Sequence, residues 1–337
     1  KKNCDYGGLG LKFLTKKAKY LDDDRHPSNI DANIGFYLSK LYFRDITPHI
    51  NLVYANLDCD IDEIKKFKNS NIIKWIKAEA RLNNNESLHN SVKIIYNELA
   101  NTDLKRYLAD KKLTLKGHLK LLFCFCYTLT CFQYYLPGFK HNDIKPNNFL
   151  VKINKNYRKN KYDRYTIFGK DFYVPCTEYT LKFHDFDYSY SKKFRNSKVT
   201  SYKKNALKTF GVSTKNNPVF DLHLYVNFLL KDIKDPKLTR FYKNLIPKDT
   251  IGENNKYTIR YKLTNYHNFN HHKYTNYIPP SMKTPSELLL DTKIFSEFLI
   301  KGTPHKNSIR KTYNSGIEQS NKIFKRGDMF NKLLKRT

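Results

Sequence analysis

One eight-residue run, His141–Asn148, combines an aspartate, a lysine and an asparagine at a spacing suited to phosphoryl transfer. Asp143 can orient or deprotonate an acceptor hydroxyl, Lys145 can neutralise charge on the transferred phosphate, and the carbonyl oxygen of Asn148 can bind a metal ion. An aspartate at such a place is otherwise a loop cap or a turn residue. The complete octapeptide favours the catalytic interpretation.

A second motif, H-D-F-D at residues 184–187, follows downstream at the end of a run of strand-like residues. Each motif lies beside a predicted strand, because Phe149–Ile153 follows the first motif and Tyr179–Phe183 precedes the second. We predict that these two strands pair with each other.

A long helix and several shorter elements must position these loops. Apolar periodicity is strongest over Lys116–Tyr135, which leads the chain to the first motif. The same criteria predict strands at Leu9–Leu14, Ile50–Tyr54 and Lys93–Leu99 and helices at Ile30–Phe43, Asp103–Ala109, Val219–Leu230 and Pro285–Ile300. The stretch Asn154–Thr177, between the paired strands, has the composition of a long, basic connection rich in tyrosine.

The order of these elements, strands with one helix first and then mostly helices, predicts an α+β fold with two lobes. We assign residues 1–100 to the first lobe, residues 101–300 to the second, and residues 301–337 to a loosely attached basic tail. At 337 residues, the chain is long enough for two such lobes that share a cleft.

The formal net charge of the chain is +31. Such an excess attracts polyanions, including nucleic acid, anionic membranes and acidic proteins. Because the lysines are spread along the chain, a solvated basic surface is the simpler explanation. A nucleic-acid or acidic partner that binds through this surface stays open as an alternative.

Three cysteines, Cys124, Cys126 and Cys131, lie in one apolar helical stretch without the C-x-x-C spacing of a zinc site. We predict that they are small buried hydrophobic residues, as expected in a reducing compartment. The most apolar stretch, Leu121–Leu136, is shorter than the roughly 20 residues that a membrane span needs. We therefore predict a core helix there, no membrane span and no signal peptide.

The two motifs resemble the catalytic loop H-R-D-x-x-x-x-N and the D-F-G motif of eukaryotic-type protein kinases, with Asn142 at the arginine position and Asp187 at the glycine position. The chain is most similar to divergent kinases of large DNA viruses, of the poxvirus and giant-virus type, in which D-F-D also occurs. There too, a segment like Phe220-Asp221-Leu222 follows without an A-P-E motif. The resemblance covers approximately residues 9–300. It implies a bilobal kinase-like fold, with a small β-rich N-lobe carrying one helix and a larger, mostly helical C-lobe.

This resemblance implies a role for each residue of the two motifs. Asp143 would be the catalytic base, and Lys145 would lie near the γ-phosphate of ATP. Asn148 and Asp185 would hold Mg²⁺, which prefers a few protein oxygens together with phosphates. A lysine at position 145 is typical of serine/threonine kinases rather than tyrosine kinases, and the acceptor would be a hydroxyl of a protein substrate.

The family also requires a strand lysine that binds the α- and β-phosphates and a helix glutamate that pairs with it. Lys12 is the candidate lysine, and its alternative is an ordinary surface lysine. Asp31 is the candidate partner. Because aspartate is one methylene shorter than glutamate, this pair needs either a closer helix or a bridging water. The alternative for Asp31 is a first-turn acid that the helix dipole favours.

The segment Glu98-Leu99-Ala100 resembles the hinge whose backbone binds adenine, and we place Glu98 and Ala100 among the ATP-binding residues. The glycines at positions 7, 8 and 10 lie too close to Lys12 to form the family's phosphate-covering loop, since a whole β-hairpin should separate the two. We expect that loop in a segment upstream of Lys1.

The chain departs from the family's motifs at two positions, Asn142 and Asp187. The arginine that Asn142 replaces normally pairs with a phosphate on the activation loop, so its absence implies activity that does not await loop phosphorylation. Asp187 removes the backbone freedom of a glycine, although aspartate tolerates unusual backbone angles better than most residues. Asp221 is either a helix N-cap or the family's aspartate that bonds to the backbone of the catalytic loop.

We therefore expect an ATP- and Mg²⁺-dependent serine/threonine protein kinase that acts inside a cell, in the host cytoplasm or in the virion if the chain is viral. The alternative is a pseudokinase or scaffold that binds a partner or nucleic acid through its basic surface. A small-molecule kinase is disfavoured, because such enzymes usually lack a lysine at the position of Lys145.

Overall fold

The computed structural model describes residues 9–16, 22–66, 74, 91–155, 157–200, 212, 214, 216–251, 281–291, 293–299 and 306–318. In this part of the chain the strands are β1 (Leu9–Lys16), β2 (Val53–Asp60), β3 (Ser91–Glu98), β4 (Thr102–Asp103), β5 (Phe149–Ile153), β6 (Tyr162–Ile167), β7 (Lys170–Pro175), β8 (Tyr179–Phe183) and β9 (Ile309–Asn314). The helices are α1 (Pro27–Phe43), α2 (Ile61–Lys66), α3 (Leu104–Asp110), α4 (Leu115–Tyr135), α5 (Ser197–Thr200), α6 (Phe220–Asp232), α7 (Pro236–Lys243) and α8 (Pro285–Leu290). The described residues form a mixed α/β structure with three small sheets.

The first sheet is antiparallel with the strand order β1-β3-β2, and it carries Lys12 on its β1 edge, opposite Ile95. Strands β1 and β3 agree with the predicted strands to within two residues at each end. Strand β2 begins at Val53 rather than at the predicted Ile50, because Ile50 instead forms a parallel bridge with Phe183.

Helix α1 packs beside this sheet and carries a carboxylate on its buried side. Pro27 occupies its first turn, where a missing N–H costs nothing, and the ring of His26 caps the helix by accepting a hydrogen bond from the Ser28 N–H. The apolar positions, such as Ile30, enter the main core. Asp31 is also buried, with only 4% of its surface exposed, so the helix holds an acid in the interior.

Helix α4 is the central element of the core, as its apolar periodicity predicts. The Thr114 hydroxyl caps it by accepting a hydrogen bond from the Gly117 N–H at 3.3 Å. Its side chains are buried almost without interruption from position 118 to position 132. The predicted burial of its three cysteines, Cys124, Cys126 and Cys131, is confirmed. In the ranges that the structure covers, no helix has the length and apolar character needed to cross a membrane.

The second sheet, β4-β5-β8, brings the two motifs together. The predicted strands Phe149–Ile153 and Tyr179–Phe183 are confirmed with the same bounds, and they pair antiparallel with Phe149 opposite Phe183. The start of β5 therefore meets the end of β8. Because the first motif ends at Asn148 and the second begins at His184, the two loops must lie side by side.

The third sheet corrects two predictions. Residues 154–177, predicted as a connection, contain the hairpin β6–β7, which turns at Phe168 and Gly169 with φ of 54° and 69°. Part of the predicted loose tail forms β9, which pairs parallel with β6. Arg310 donates a hydrogen bond to Asp163 across this pairing at 2.8 Å. Two segments far apart in the chain complete this sheet, so local composition could not reveal it.

The predicted helix Pro285–Ile300 is also wrong in length. Helix α8 has a capping box between Thr284 and Glu287, but it ends at Leu290, and a 3-10 turn follows at Ser296–Phe298. The Phe298 ring packs on the edge of Phe123, with 5.5 Å between the ring centroids. Burial of aromatic rings in the core therefore overrides the helical periodicity. Helix α7 lies between the predicted helices Val219–Leu230 and Pro285–Ile300, where no helix was predicted.

Candidate active site

Asp221 anchors the loop of the first motif through two backbone hydrogen bonds. Its two carboxylate oxygens accept hydrogen bonds from the backbone N–H groups of His141 at 2.7 Å and Asn142 at 2.9 Å. Burial raises the pKa of Asp221, while the two N–H donors act in the opposite direction. Of the two predicted roles, the loop contact is present, and the N-cap position belongs to Val219.

Asn142 adopts a left-handed backbone conformation with φ of 64°. Asparagine tolerates this region better than most residues. Its side-chain amide donates a hydrogen bond to the carbonyl oxygen of Tyr188 at 3.0 Å, just beyond the second motif. The residue at the arginine position thus joins the first loop to the chain that follows the second.

The carboxylate of Asp143 is held by its neighbours in the loop. Its Oδ2 accepts hydrogen bonds from Lys145 Nζ at 2.7 Å and from Asn148 Nδ2 at 2.8 Å. The same Asn148 nitrogen also donates to the Asp143 backbone carbonyl at 2.9 Å. Asp143 is buried, whereas 37% of the Lys145 side chain is exposed. The loop therefore presents an oriented carboxylate with a cation beside it.

Lys12 connects the first sheet, helix α1 and the second motif. Its ammonium group forms ion pairs with Asp31 and, at 2.5 Å, with Asp185 Oδ1. Asp31 also accepts a hydrogen bond from the backbone N–H of Phe186 at 2.7 Å. The short aspartate thus reaches Lys12 directly. Since the first turn of α1 contains no acid, the alternative helix-dipole role for Asp31 is wrong.

The electrostatics of Lys12 and Asp185 match this contact. Burial lowers the pKa of Lys12, but the carboxylates of Asp31, Asp185 and Asp187 more than compensate and raise it above its usual value. Burial raises the pKa of Asp185, but the Lys12 cation outweighs this effect and holds it below the usual range. Both groups are charged at neutral pH.

In the second motif, the residue with a left-handed backbone conformation is Asp185 rather than Asp187, which occupies the family's glycine position. Asp185 has φ of 69°, while Asp187 is absent from the positive-φ residues of the described chain. The glycine that Asp187 replaces is therefore not needed for backbone freedom in this conformation. Burial and the neighbouring Asp185 raise the pKa of Asp187 to about 6.

Asn148 and Asp185 have the chemistry of magnesium ligands. Both hydrogen bonds of Asn148 use its nitrogen, and the contact of Asp185 with Lys12 uses Oδ1. Among the described residues, Asn148 Oδ1 and Asp185 Oδ2 therefore carry no hydrogen bond. One amide oxygen and one carboxylate oxygen are the hard donors that Mg²⁺ prefers.

The predicted hinge is anchored at both ends. The Glu98 carboxylate forms ion pairs with Lys152 at 2.5 Å and with Lys182 at 2.9 Å, and its backbone N–H donates to Leu52. The Asn101 N–H donates to the carbonyl of Val151 at 3.0 Å. The side chain of Glu98 is thus committed to a structural cluster.

Between these anchors, the backbone N–H of Ala100 has no hydrogen-bond partner within the described ranges. The adjacent Leu99 side chain is 49% exposed. Within the described ranges, the hinge segment therefore offers an unpaired backbone donor beside an exposed apolar side chain, and the adenine contact of Ala100 stays a prediction. The glycines at positions 7 and 8 lie outside the described residues, and Gly10 lies within β1.

Four residues that hold the surroundings of the site in place were not predicted from the sequence. Lys152 and Lys182 hold Glu98, and Asn196 and Lys198 hold the chain after the second motif. Lys182 had a usable signal, because it lies beside apolar residues in the predicted strand Tyr179–Phe183, and a buried lysine needs an acidic partner. Asn196 and Lys198 had none, since their partners are defined by a loop conformation.

Comparison with known proteins gives a distant relationship. No family model matches the chain. Two proteins of Acanthamoeba polyphaga mimivirus that carry the provisional name serine/threonine-protein kinase are similar to it. One is 27% identical over 262 residues, covering 71% of this chain and 54% of the relative. The other is 26% identical over 239 residues, covering 60% of each.

The chain thus spans less than two thirds of the length of both relatives. Their names agree with the family that the two motifs resemble. The site geometry and the comparisons together indicate a distant kinase-like relationship.

Proposed function

We propose that this protein is an ATP- and Mg²⁺-dependent protein kinase that transfers the γ-phosphoryl group to a serine or threonine hydroxyl. The observation that carries the proposal is the contact of Lys12 with both Asp31 and Asp185. It joins a phosphate-binding cation to a metal-binding carboxylate, two parts that phosphoryl transfer requires at one place. The names of the two mimivirus relatives support the same activity.

In this mechanism the Asp143 carboxylate orients the acceptor hydroxyl and accepts its proton. The hydroxyl oxygen forms a bond to the γ-phosphorus as the bond from that phosphorus to the β-phosphate oxygen breaks, and ADP leaves. Lys145 and Asn148 fix the carboxylate beforehand through Oδ2, so little reorganisation is needed. Lys145 also places a positive charge where the transferred phosphoryl group would carry negative charge.

On the nucleotide side, Lys12 would bind the α- and β-phosphates while Asp31 holds its side chain in place. Ala100 would donate its backbone N–H to the adenine ring. Asn148 and Asp185 would hold magnesium, which when bound neutralises charge on the phosphate oxygens. The serine/threonine type is supported by the lysine at position 145.

The test is phosphoryl transfer from labelled ATP with Mg²⁺, using the full-length protein with itself, a basic protein and an acidic protein as acceptors. Asp143→Asn should lower kcat by about 10²–10⁴-fold, because it removes the base but keeps the shape. Nucleotide binding should be unchanged.

The matched control is Asp110→Asn, at the exposed end of α3, which should transfer phosphate like the wild type. The proposal fails if the wild type transfers nothing to any acceptor, or if Asp143→Asn is as active as the wild type.

A further inference from the structure

The segment that follows the second motif, residues 187–198, is attached to the catalytic loop by backbone contacts. Lys140 and Tyr190 exchange two backbone hydrogen bonds, both at 2.9 Å. Two residues on, the Asn142 amide donates to the Tyr188 carbonyl at 3.0 Å. The segment therefore lies along the loop that carries Asp143.

Two side chains near the end of this segment, Asn196 and Lys198, bind back to residues near its start. The Asn196 amide is buried and donates to the carbonyl oxygens of Asp187 at 2.7 Å and Ser189 at 3.0 Å. The Lys198 ammonium group pairs with Asp187 Oδ2 at 2.7 Å and lies 3.4 Å from the centre of the Tyr188 ring. The Asp187–Lys198 pair is largely shielded, with 22% and 30% of the side chains exposed. We call Asp187, Asn196 and Lys198 the clasp.

The segment also contacts helix α1, which carries Asp31. The Ser197 N–H donates to the Arg25 carbonyl at 2.7 Å, immediately before the helix. The Phe194 ring meets the Tyr37 ring edge to face at 5.8 Å, and the Lys193 ammonium lies 4.5 Å from the centre of the Tyr37 ring. The segment thus packs directly against the helix whose Asp31 pairs with Lys12.

The charged pair that holds this segment is formed by two side chains of the protein itself, Asp187 and Lys198. A phosphorylated loop is ordinarily ordered by pairing an added phosphate with an arginine. Here Asn142 is neutral and its amide is already bonded to Tyr188. The acidic group that holds the segment is Asp187, and its cationic partner is Lys198, eleven residues later.

We propose that the clasp orders residues 187–198 and holds α1 in the position for phosphoryl transfer without phosphorylation of the segment. This inference rests on the proposed function and names how that site is regulated. Asn196 and Lys198 are positioning residues, because they act through Asp187 and the segment rather than on the reacting atoms. The Asp187–Lys198 ion pair takes the place that an arginine–phosphate pair would have.

The activity test compares Lys198→Met with Lys198→Arg and with Arg195→Met, a control at an exposed cation of the same segment. Lys198→Met should lower kcat by about ten- to a hundredfold, since small misplacements of catalytic groups have effects of this size. Lys198→Arg should keep most of the activity, and Arg195→Met should match the wild type. Wild-type protein treated with phosphatase, and free of phosphate in residues 187–198 by mass spectrometry, should be fully active.

A second measurement does not depend on activity. Amide hydrogen exchange in residues 187–198 and in α1 should become faster in Lys198→Met and Asn196→Ala, but not in Arg195→Met. The double variant Asp187→Asn, Lys198→Met should exchange no faster than Lys198→Met alone, because the two side chains act as one pair.

The outcomes separate the two proposals. A wild type that transfers no phosphate overturns the proposed function, while the exchange result still decides the clasp. The clasp is overturned if Lys198→Met matches the wild type in exchange and in kcat, or if wild-type activity is abolished when phosphatase removes phosphate found in residues 187–198. Equal loss in Lys198→Met and Lys198→Arg, without faster exchange, also contradicts it.

Discussion

At the residue scale, Lys12 is the point where three distant parts of the chain meet. It lies on β1, Asp31 on α1 and Asp185 in the second motif, yet the ammonium group contacts both carboxylates. Asp31 has a second task, since it accepts a hydrogen bond from the Phe186 backbone. One carboxylate thus holds both the Lys12 cation and the loop that carries Asp185.

Replacing Asp31 by Asn should separate these two tasks. Asparagine keeps an oxygen for the Phe186 N–H but removes the charge that holds Lys12. We expect kcat/KM for ATP to fall by about ten- to a hundredfold, the effect of a misplaced phosphate-binding group. Steady-state kinetics and fluorescent-nucleotide binding provide the measurement.

Asp31→Ala should be worse than Asp31→Asn, because the Phe186 N–H then loses its acceptor. Leaving a buried donor unsatisfied costs about 1–3 kcal/mol of unfolding free energy, which denaturant titration can detect. Wild-type kinetics in Asp31→Asn would exclude a role for the Lys12 pairing.

At the element scale, two buried histidines join separate parts of the core. His118 of α4 lies 3.0 Å from the Tyr242 hydroxyl of α7, and His49 contacts the Tyr165 hydroxyl at 3.0 Å. Burial lowers the pKa of His118 to about 4 and that of His49 to about 3. Both rings are therefore neutral in the folded protein at any pH above these values.

These pKa values predict a loss of stability in mild acid. Below pH 6.5 the unfolded chain protonates both histidines, whereas the folded chain does not, so proton binding lowers the free energy of the unfolded state relative to the folded state. Each histidine should lower the unfolding free energy by up to about 1.4 kcal/mol per pH unit between pH 6.5 and its folded pKa. The stability that they contribute is complete above pH 6.5.

His118→Gln should therefore flatten the dependence of unfolding free energy on pH between 6 and 4.5, measured by urea titration. Between pH 7 and 8 the variant and the wild type should have parallel slopes, since the ring is neutral in both states there. An unchanged slope in the acid range would show that His118 titrates normally in the folded protein.

At the scale of the whole molecule, the third sheet joins two segments that lie far apart in the sequence, β6 and β9. Strand β9 comes from a segment predicted as a loose tail, and it pairs with β6 of the hairpin behind α4. The Tyr313 ring stacks on Tyr165 with 5.0 Å between centroids and is 5% exposed. Two residues earlier on β9, the exposed Lys311 pairs with Asp45, and its ammonium group lies 5.6 Å from the centre of the Tyr313 ring.

Tyr313→Ala should lower the unfolding free energy by about 3 kcal/mol, because it leaves a cavity in the core. Lys311→Ala, on the same strand, should cost less than about 1 kcal/mol, as expected for an exposed ion pair. Urea unfolding of both variants gives the comparison. Equal small effects would mean that β9 contributes little to the folded core.

Much of the fold and the residues of the candidate site could be predicted from local sequence. Helix α4 and the pair β5–β8 follow from apolar periodicity, since these elements bury continuous apolar runs. Asp143, Lys145, Asn148 and Asp185 are predicted from two short motifs, because residue types suited to phosphoryl transfer in a fixed order are visible in a single sequence. The bond of Asp221 to the loop backbone was one of two predicted roles, and only the tertiary structure distinguishes them.

Tertiary structure alone decided the contacts whose partners lie far apart or in irregular loops. The ion pairs of Lys12, the Glu98 cluster and the clasp all depend on where strands and loops end in space. The parallel pairing of β6 with β9 likewise joins residues more than a hundred positions apart. The sequence by itself determined which groups the site contains, since chemistry depends on residue type. Their assembly was decided by burial of aromatic and apolar surface, which acts without regard to distance along the chain.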